Sequence, residues 1–180
     1  MATEKTPIEG TVERSREVDQ IRKAARHFAM LYFHLSKTLY ETFGLEKARE
    51  LIQQIVFELG EDRALQMKEA AKKLGLDPQN LTHEDFMKVV DIPFDGWIKE
   101  WGENHCPYAE VWRTYLPENP WFRELAPFYC DVIDTTTTEV FTGKESQKIT
   151  QNVITKGTAC LRTYFEKEEV KKGEYTYGKR

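Results

Sequence analysis

The sequence has few cysteines, no long apolar run and no glycine-rich phosphate-binding loop. Only three of its 180 residues are cysteines, and no two of them form a C-x-x-C pair. An odd number of unpaired thiols is typical of a reducing compartment, so we expect a cytoplasmic protein without a disulfide framework. The longest uncharged stretch near the amino terminus covers residues 28–36. A membrane helix needs ~20 apolar residues, so we expect no membrane association.

The charge balance excludes a second class of partner. Lys and Arg number 26 against 30 Asp and Glu, for a net charge of -4. A mildly acidic chain is a poor candidate for binding a phosphate backbone, so no nucleic acid partner is expected. The hydrophobic share of 40% excludes a wholly disordered chain. Nucleophile-elbow and H-E-x-x-H patterns are absent as well.

The first half of the chain has the pattern of amphipathic helices. Apolar residues recur there at spacings of three and four, which indicates apolar stripes. Glycine is a common helix stop, so each stripe is expected to end at the glycine that follows it. Three helices are predicted in this way, over residues 15–43, 48–59 and 62–74, ended by Gly44, Gly60 and Gly75.

Two later helices are predicted from their start signals. Thr82 and Asp85 have the spacing of a capping box, which predicts a short helix that runs through Val90. Proline is favoured at the first helical position, so Cys106-Pro107 predicts a helix with Cys106 as its N-cap. A further helix is predicted over about residues 121–141, although the β-branched stretch from Val132 to Thr138 weakens its helix propensity.

The end of the chain has the pattern of a β-hairpin. Residues 149–155 and 158–165 flank Lys156-Gly157, a candidate two-residue turn. This turn predicts three opposing pairs, Ile149 with Tyr164, Gln151 with Arg162 and Val153 with Cys160.

These elements together predict an α+β fold, in which a helical amino-terminal half packs on a small antiparallel sheet with flanking helices. We expect a flexible arm over residues 1–13 and a single α+β domain over 14–166. Within that domain the helical half covers 14–91 and the α+β half covers 92–166. Residues 167–180 are expected to form a frayed, charged tail.

The first candidate for chemistry is the helix start at Cys106. A thiol at a helix N-terminus faces unpaired backbone N–H groups, and this setting favours the reactive thiolate. His105 is adjacent in sequence, and Glu110 lies one turn further along the same helix face. The pattern indicates a nucleophile or metal ligand with a nearby proton carrier. The alternative is a small buried thiol at a helix start.

Two further thiols have ionisable neighbours. Cys130 and Asp134 are four residues apart, on one face of the predicted helix, where the carboxylate could orient a base. Cys160 would share a strand face with Arg162 and Tyr164, because side chains alternate along a strand. Arginine suits a bidentate hold on a substrate carboxylate. The structural alternatives are a core thiol with solvated acids, and a sheet face covered by side-chain stems.

A metal is a second way to use these residues. Structural zinc sites have close cysteine pairs, whereas these three cysteines are far apart in sequence. A scattered site for a divalent metal such as zinc, completed by His105, is allowed by this spacing but not indicated by it. No cofactor is therefore assigned.

The order of these residues resembles that of the L-2-amino-thiazoline-4-carboxylic acid hydrolase family. The resemblance covers roughly residues 96–165 and depends on the order of short motifs. One difference is that residues 139–143 lack the Asn-Pro turn that family members often carry after the acidic position. The matching motifs are Cys106-Pro107-Tyr108-Ala109-Glu110, Phe128-Tyr129-Cys130 with Asp134, and Gly157 with Cys160-Leu161-Arg162.

The resemblance implies hydrolysis of a carbon–nitrogen bond in a small cyclic amidine or amide, with Cys106, Cys130, Asp134 and Cys160 as important positions. The leading hypothesis is thiolate attack by Cys106, and the second is metal-assisted hydrolysis. A small-ligand binding or sensor domain without catalysis is the alternative outside enzymes. The helical half also offers a face for a homo-oligomer, most often a symmetric dimer.

Overall fold

The computed structural model describes residues 11–92, 106–151, 154, 160–167 and 175–177. Within these residues it has the predicted α+β architecture, with a two-stranded antiparallel sheet. Among the helices so described, none is long and apolar enough to cross a membrane. The elements are α1 (Thr11–Lys73), α2 (His83–Val89), α3 (Pro107–Tyr115), α4 (Phe122–Thr142), β1 (Glu145–Gln151) and β2 (Leu161–Glu166).

Helix α1 consists of two arms that meet at Gly44. Gly44 has φ 78° and ψ 172°, a conformation that is nearly restricted to glycine, so the predicted break at this residue is confirmed. The predicted stop at Gly60 is wrong, because α1 continues through this residue to Lys73. Gly60 is instead a contact residue, since a Cβ atom there would lie 2.9 Å from the Cβ of Thr136 on α4. A glycine at a helix–helix contact has the same sequence signal as a glycine that ends a helix.

The helix starts predicted at Thr82 and Cys106 are confirmed. Thr82 caps α2, and its side chain and that of Asp85 form both bonds of the capping box. Cys106 is the N-cap of α3, and Pro107 is the first helical residue. The long helix also forms over the threonine run, where hydroxyl groups bond to carbonyls one turn back. Thr137, for example, donates to the carbonyl of Ile133 at 2.7 Å.

One hydrophobic core joins both predicted halves of the domain. Tyr32 on the first arm of α1 packs against Trp112 of α3 and Tyr129 of α4, with ring centroids 5.3 and 5.5 Å apart. The polar ends of these buried rings are satisfied, since the Tyr32 hydroxyl donates to the carbonyl of Leu125 and the Trp112 indole to that of Ala29. A smaller cluster packs α2 onto the second arm of α1 and the end of α4.

The hairpin forms, but its predicted register is wrong. Ile149 pairs with Arg162 rather than Tyr164, and Gln151 pairs with Leu161 rather than Arg162. The pair Gln151–Leu161 is already offset by one residue, and an irregularity between Ile149 and Gln151, where β1 has one more residue than β2, adds a second. Strand β1 also begins at residue 145, four residues earlier than predicted. The predicted turn at Lys156-Gly157 and the predicted partner Val153 lie outside the described residues.

Both ends of the domain differ from the predicted ones. Helix α1 begins at Thr11, inside the predicted arm, and residues 1–10 lie outside the described part. In the predicted tail, residue 167 and residues 175–177 are held by the domain rather than frayed. The backbone N–H of Thr176 donates to Glu139 of α4 at 2.9 Å. Tyr175 and Tyr177 pack on the hydrophobic core.

Candidate functional site

Three elements bring the three cysteines to the same part of the core. Cys130 lies on α4, Cys106 caps α3 and Cys160 directly precedes β2. All three are half-buried thiols outside any disulfide, and all three pack against the main core cluster. We call these cysteines, together with Asp134 and Arg162, the candidate site.

Burial and the charged groups of the candidate site together shift the pKa of Cys130. The pKa of the Cys130 thiol is raised well above its usual range, first because burial disfavours the thiolate. The negative charge of Asp134 and that of a Cys106 thiolate raise this pKa further, and Arg162 opposes them. Cys130 is therefore a neutral thiol at neutral pH, which makes it a poor nucleophile.

Asp134 and Arg162 form an ion pair within the candidate site. Nη2 of Arg162 donates to Oδ2 of Asp134 at 2.6 Å, which joins β2 to α4. Burial alone would lower the pKa of Arg162, but the charge and hydrogen bond of Asp134 outweigh it, and the net pKa is raised. The structure thus brings together two residues that the sequence placed in different candidate groups.

Arg63 is a member of this network that sequence reasoning missed. Its Nη1 lies 3.7 Å from Oδ1 of Asp134, and its Nε donates to both carboxylate oxygens of Asp91 at 2.7 and 2.9 Å. The signal for this residue is its position, seven residues after the buried Val56 on the apolar stripe of α1. A charged residue on a buried stripe needs a charged partner.

Gln147 of β1 is a second residue that the sequence did not indicate. Its Nε2 donates to the carbonyl of Asp134 at 2.7 Å and to the hydroxyl of Thr138 at 2.8 Å. The hydroxyl of Thr135 in turn donates to the carbonyl of Gln147 at 3.0 Å. These bonds fix β1 along α4 next to the candidate site.

The two proton carriers predicted near Cys106 have different outcomes. Glu110 is bound by two arginines of α1, with Arg22 at 2.5 Å and Arg26 at 3.1 Å. Burial would raise the pKa of Glu110, but the hydrogen bonds and charges of Arg26 and Arg22 outweigh it, and the pKa is lowered. Glu110 is therefore a carboxylate at neutral pH and no proton donor. His105 lies outside the described residues.

Tyr164 lies at the outer side of the candidate site. It follows Arg162 by two residues on β2, so the predicted common strand face of these two side chains is present. Its ring centroid is 4.0 Å from that of His83, a residue without a predicted role. Burial raises the pKa of Tyr164, with Arg162 acting in the opposite direction. The phenol is therefore neutral at neutral pH and can donate a hydrogen bond to a ligand.

Two further phenols lie between the thiols and the aromatic core. Tyr108 and Tyr129 are hydrogen-bonded to each other, and their ring centroids are 5.1 Å apart. Burial raises the pKa of Tyr108 to about 12, with the charges of Cys130 and Cys106 acting in the same direction and the hydrogen bond to Tyr129 in the opposite one. Burial also raises the pKa of Tyr129. Both phenols are neutral hydrogen-bonding groups beside the thiols.

The described part of the chain contains no set of side chains arranged as metal ligands. Among the residues that the structure describes, no group of three or more His, Cys, Asp or Glu side chains is arranged to hold an ion. The scattered site suggested by the sequence includes His105, which is outside this part of the chain. Metal-assisted hydrolysis therefore stays a prediction.

Comparisons with known proteins add no family to this geometry. No family model, curated protein or solved structure matches the chain. The resemblance to the thiazoline carboxylate hydrolase family therefore stays a prediction, and so do the roles that it implies.

The described residues nevertheless allow a specific kind of chemistry. A half-buried thiol at a helix start lies beside a neutral thiol, an ion pair and neutral phenols. Such a set can bind a small polar molecule and present a sulfur nucleophile to it.

Proposed function

We propose that this chain is a hydrolase that acts on carbon–nitrogen bonds other than peptide bonds. Its substrate would be a small cyclic amidine or amide, similar to a thiazoline carboxylate. The observation that carries the proposal is the grouping of Cys106, Cys130 and Cys160 around the Asp134–Arg162 ion pair. A reducing compartment such as the cytoplasm suits a site built from thiols.

We assign the nucleophile to Cys106. Cys106 is the N-cap residue of α3, and a helix N-terminus favours the thiolate. Cys130 suits this role less, because burial keeps its thiol neutral. A thiolate attack forms a carbon–sulfur bond and breaks the ring carbon–nitrogen bond, whose nitrogen takes a proton. Water then adds to the same carbon, the carbon–sulfur bond breaks, and the thiol is restored.

Arg162 and Asp134 are assigned to binding and orientation. One nitrogen of Arg162 is bound to Asp134, but a guanidinium has five N–H donors, so this bond does not exhaust it. The other donors suit a substrate carboxylate. Asp134 suits the positively charged amidine of a protonated substrate. Tyr164 adds a neutral phenol beside this pair.

The test is a substrate panel with matched variants. Purified protein is incubated with cyclic amidines, cyclic amides and lactams, and mass spectrometry detects products that have gained one water. Cys106→Ala should reduce turnover about a hundredfold or more, as expected for the loss of a nucleophile. Thr114→Ala, on the exposed side of the same helix, is the control and should keep normal turnover.

Each contradictory result has a defined meaning. Near-normal turnover in folded Cys106→Ala would exclude Cys106 as the nucleophile. Binding of panel compounds without any product would favour the ligand-binding or sensor function. Elemental analysis separates the two hydrolytic mechanisms, because less than ~0.1 zinc per chain with full activity in chelator would exclude a metal-assisted reaction.

A further inference from the structure

Arg63 is a buried guanidinium in the second arm of α1. Its side chain is only 9% exposed, and it lies on the stripe that faces the core. Its Nε and Nη2 both lie 2.7 Å from Oδ1 of Asp91, an arrangement that fixes the plane of the guanidinium. Burying a charged group costs free energy even when it is paired, and an apolar residue often gives equal or greater stability there. Stability alone therefore does not explain why an arginine occupies this position.

The remaining nitrogen of Arg63 reaches the candidate site. Nη1 lies 3.7 Å from Oδ1 of Asp134, whereas Arg162 binds the other oxygen, Oδ2, at 2.6 Å. Each oxygen of this carboxylate thus faces a different guanidinium, one from α1 and one from β2. With only Arg162 present, the carboxylate could rotate about its last side-chain bond, because terminal sp³–sp² torsions have broad minima.

We propose that Arg63 is a positioning residue of the candidate site, which fixes the orientation of Asp134 beside Cys130 and Arg162 by holding its second oxygen. Only the effect on turnover rests on the proposed hydrolase function. The positioning itself can be measured on the thiols without any substrate.

The rival explanation is that Arg63 acts on the thiols directly through its charge. Both explanations predict that Arg63→Gln changes the pKa of the Cys130 thiol, in one case because Asp134 is released and in the other because a positive charge is lost. They differ when Asp134 is removed, because positioning through Asp134 then has nothing to act on. A double-mutant cycle separates the two, since independent effects add and coupled effects do not.

The experiment measures alkylation of Cys130 by iodoacetamide as a function of pH, read by mass spectrometry of the peptide. The four proteins are the wild type, Arg63→Gln, Asp134→Asn and the double variant. Asp134→Asn should move the alkylation midpoint to lower pH, because it removes a negative charge. Arg63→Gln should shift the midpoint in the wild-type background and leave it unchanged in the Asp134→Asn background. Equal shifts in both backgrounds would overturn the proposal.

A second variant keeps the test valid if Arg63→Gln does not fold. Arg63→Lys retains the charge but lacks the planar fork that binds Asp91 and reaches Asp134 together. Arg63→Lys should shift the alkylation midpoint of Cys130 less than Arg63→Gln does. This shift should again be absent in the Asp134→Asn background. A shift that persists in that background would also overturn the proposal.

Turnover on the panel substrate is the third measurement. Arg63→Gln should lower kcat about tenfold and change KM by less than about threefold, as expected for lost orientation rather than lost binding. Arg123→Gln, an exposed arginine on α4, should change neither. If no protein turns over any substrate but the alkylation cycle shows coupling, the hydrolase function fails and the role of Arg63 is upheld.

Discussion

A single carboxylate, that of Glu110, ties the start of α3 to the first arm of α1. Both of its oxygens bind arginines, Oε1 that of Arg22 and Oε2 that of Arg26. The two partners lie 88 and 84 residues away in the sequence. Local spacing suggested a proton carrier near Cys106, whereas the fold supplies two cations. The ion pair therefore contributes to stability with a defined dependence on pH.

Glu110→Gln should lose stability at neutral pH and little at acidic pH. The folded pKa of Glu110 lies below its ordinary value of 4.5, because the two arginines outweigh the opposing effect of burial. A carboxyl group with a depressed folded pKa contributes stability above its unfolded pKa and loses it as pH falls through the folded pKa. Urea denaturation from pH 7 to pH 3 should therefore show a gap between wild type and variant that narrows below about pH 4.5.

Glu118→Gln is the matched control for this prediction, because Glu118 is an exposed acid just after the same helix. It should change the free energy of unfolding little at any pH. A Glu110→Gln gap that stays constant across the pH range would contradict the assigned ion pair.

The close contact between α1 and α4 depends on Gly60. The carbonyl of this residue accepts a bond from the hydroxyl of Thr137 at 3.3 Å, and its Cα faces Thr136. An added Cβ would lie 2.9 Å from the Cβ of Thr136 and 3.2 Å from the carbonyl oxygen of Ile133. The carbonyl belongs to the backbone of α4, so relief requires the two helices to move apart.

Gly60→Ala should therefore destabilise the protein, although alanine is the better helix former by about 1 kcal/mol. We expect a loss of about 1–3 kcal/mol in the free energy of unfolding, the usual cost of overpacking. Equilibrium unfolding in urea measures it. Gln66→Ala, at an exposed position of the same helix, is the control and should be neutral or slightly stabilising. A neutral or stabilising Gly60→Ala would show that the two helices separate at little cost.

Helices with local signals were predictable from the sequence, and contacts between elements were not. The capping residues Thr82 and Cys106 act within one helical turn, so short motifs were sufficient to place them. The hairpin register depends on an extra residue in β1, which no local pattern announced. The role of Gly60 depends on a helix 73 to 77 residues away, so its sequence neighbours indicated only a helix stop.

The candidate site was predictable in the same partial sense. Cys130 and Asp134 share a helix face, and Arg162 and Tyr164 share a strand face, as helical and strand periodicity require. The Asp134–Arg162 pair forms only when the hairpin packs on α4, and Arg63 joins it only when α1 does. Charged pairs between distant elements leave no spacing signal in one sequence. A lone charge on an apolar stripe is the clue that could have found Arg63.

At the scale of the whole molecule, a buried carboxylate, that of Glu139 on α4, connects three separate parts of the chain. Its side chain is fully buried, and its Oε1 accepts bonds from the hydroxyl of Ser146 on β1 and from Nζ of Lys167, each at 2.6 Å. Thr176 adds its backbone N–H at 2.9 Å and its hydroxyl at 2.5 Å. Burial would raise the pKa of Glu139, but these donors outweigh it and lower the pKa. One charged group thus joins the helix, the hairpin and the carboxy-terminal segment.

Residues 175–177 should consequently stabilise the entire domain. Gln53 of α1 donates to the carbonyl of Tyr177 at 3.1 Å, so the segment also contacts the second arm of α1. Thr176→Val keeps the shape of the side chain but removes the hydroxyl that binds Glu139 and receives Lys167. Hydrogen bonds to charged groups contribute more than neutral ones, so the free energy of unfolding should fall by about 1–2 kcal/mol.

The measurement is urea denaturation of the full chain, followed by circular dichroism and by tryptophan fluorescence. Both probes should shift to lower urea together in Thr176→Val, because the lost bond anchors elements that share one core. Thr163→Val, on the exposed strand β2, is the control and should be nearly neutral. An unchanged midpoint in Thr176→Val would mean that Ser146, Lys167 and the backbone N–H of Thr176 satisfy Glu139 without the hydroxyl. In that case this hydroxyl would not contribute to the stability of the domain.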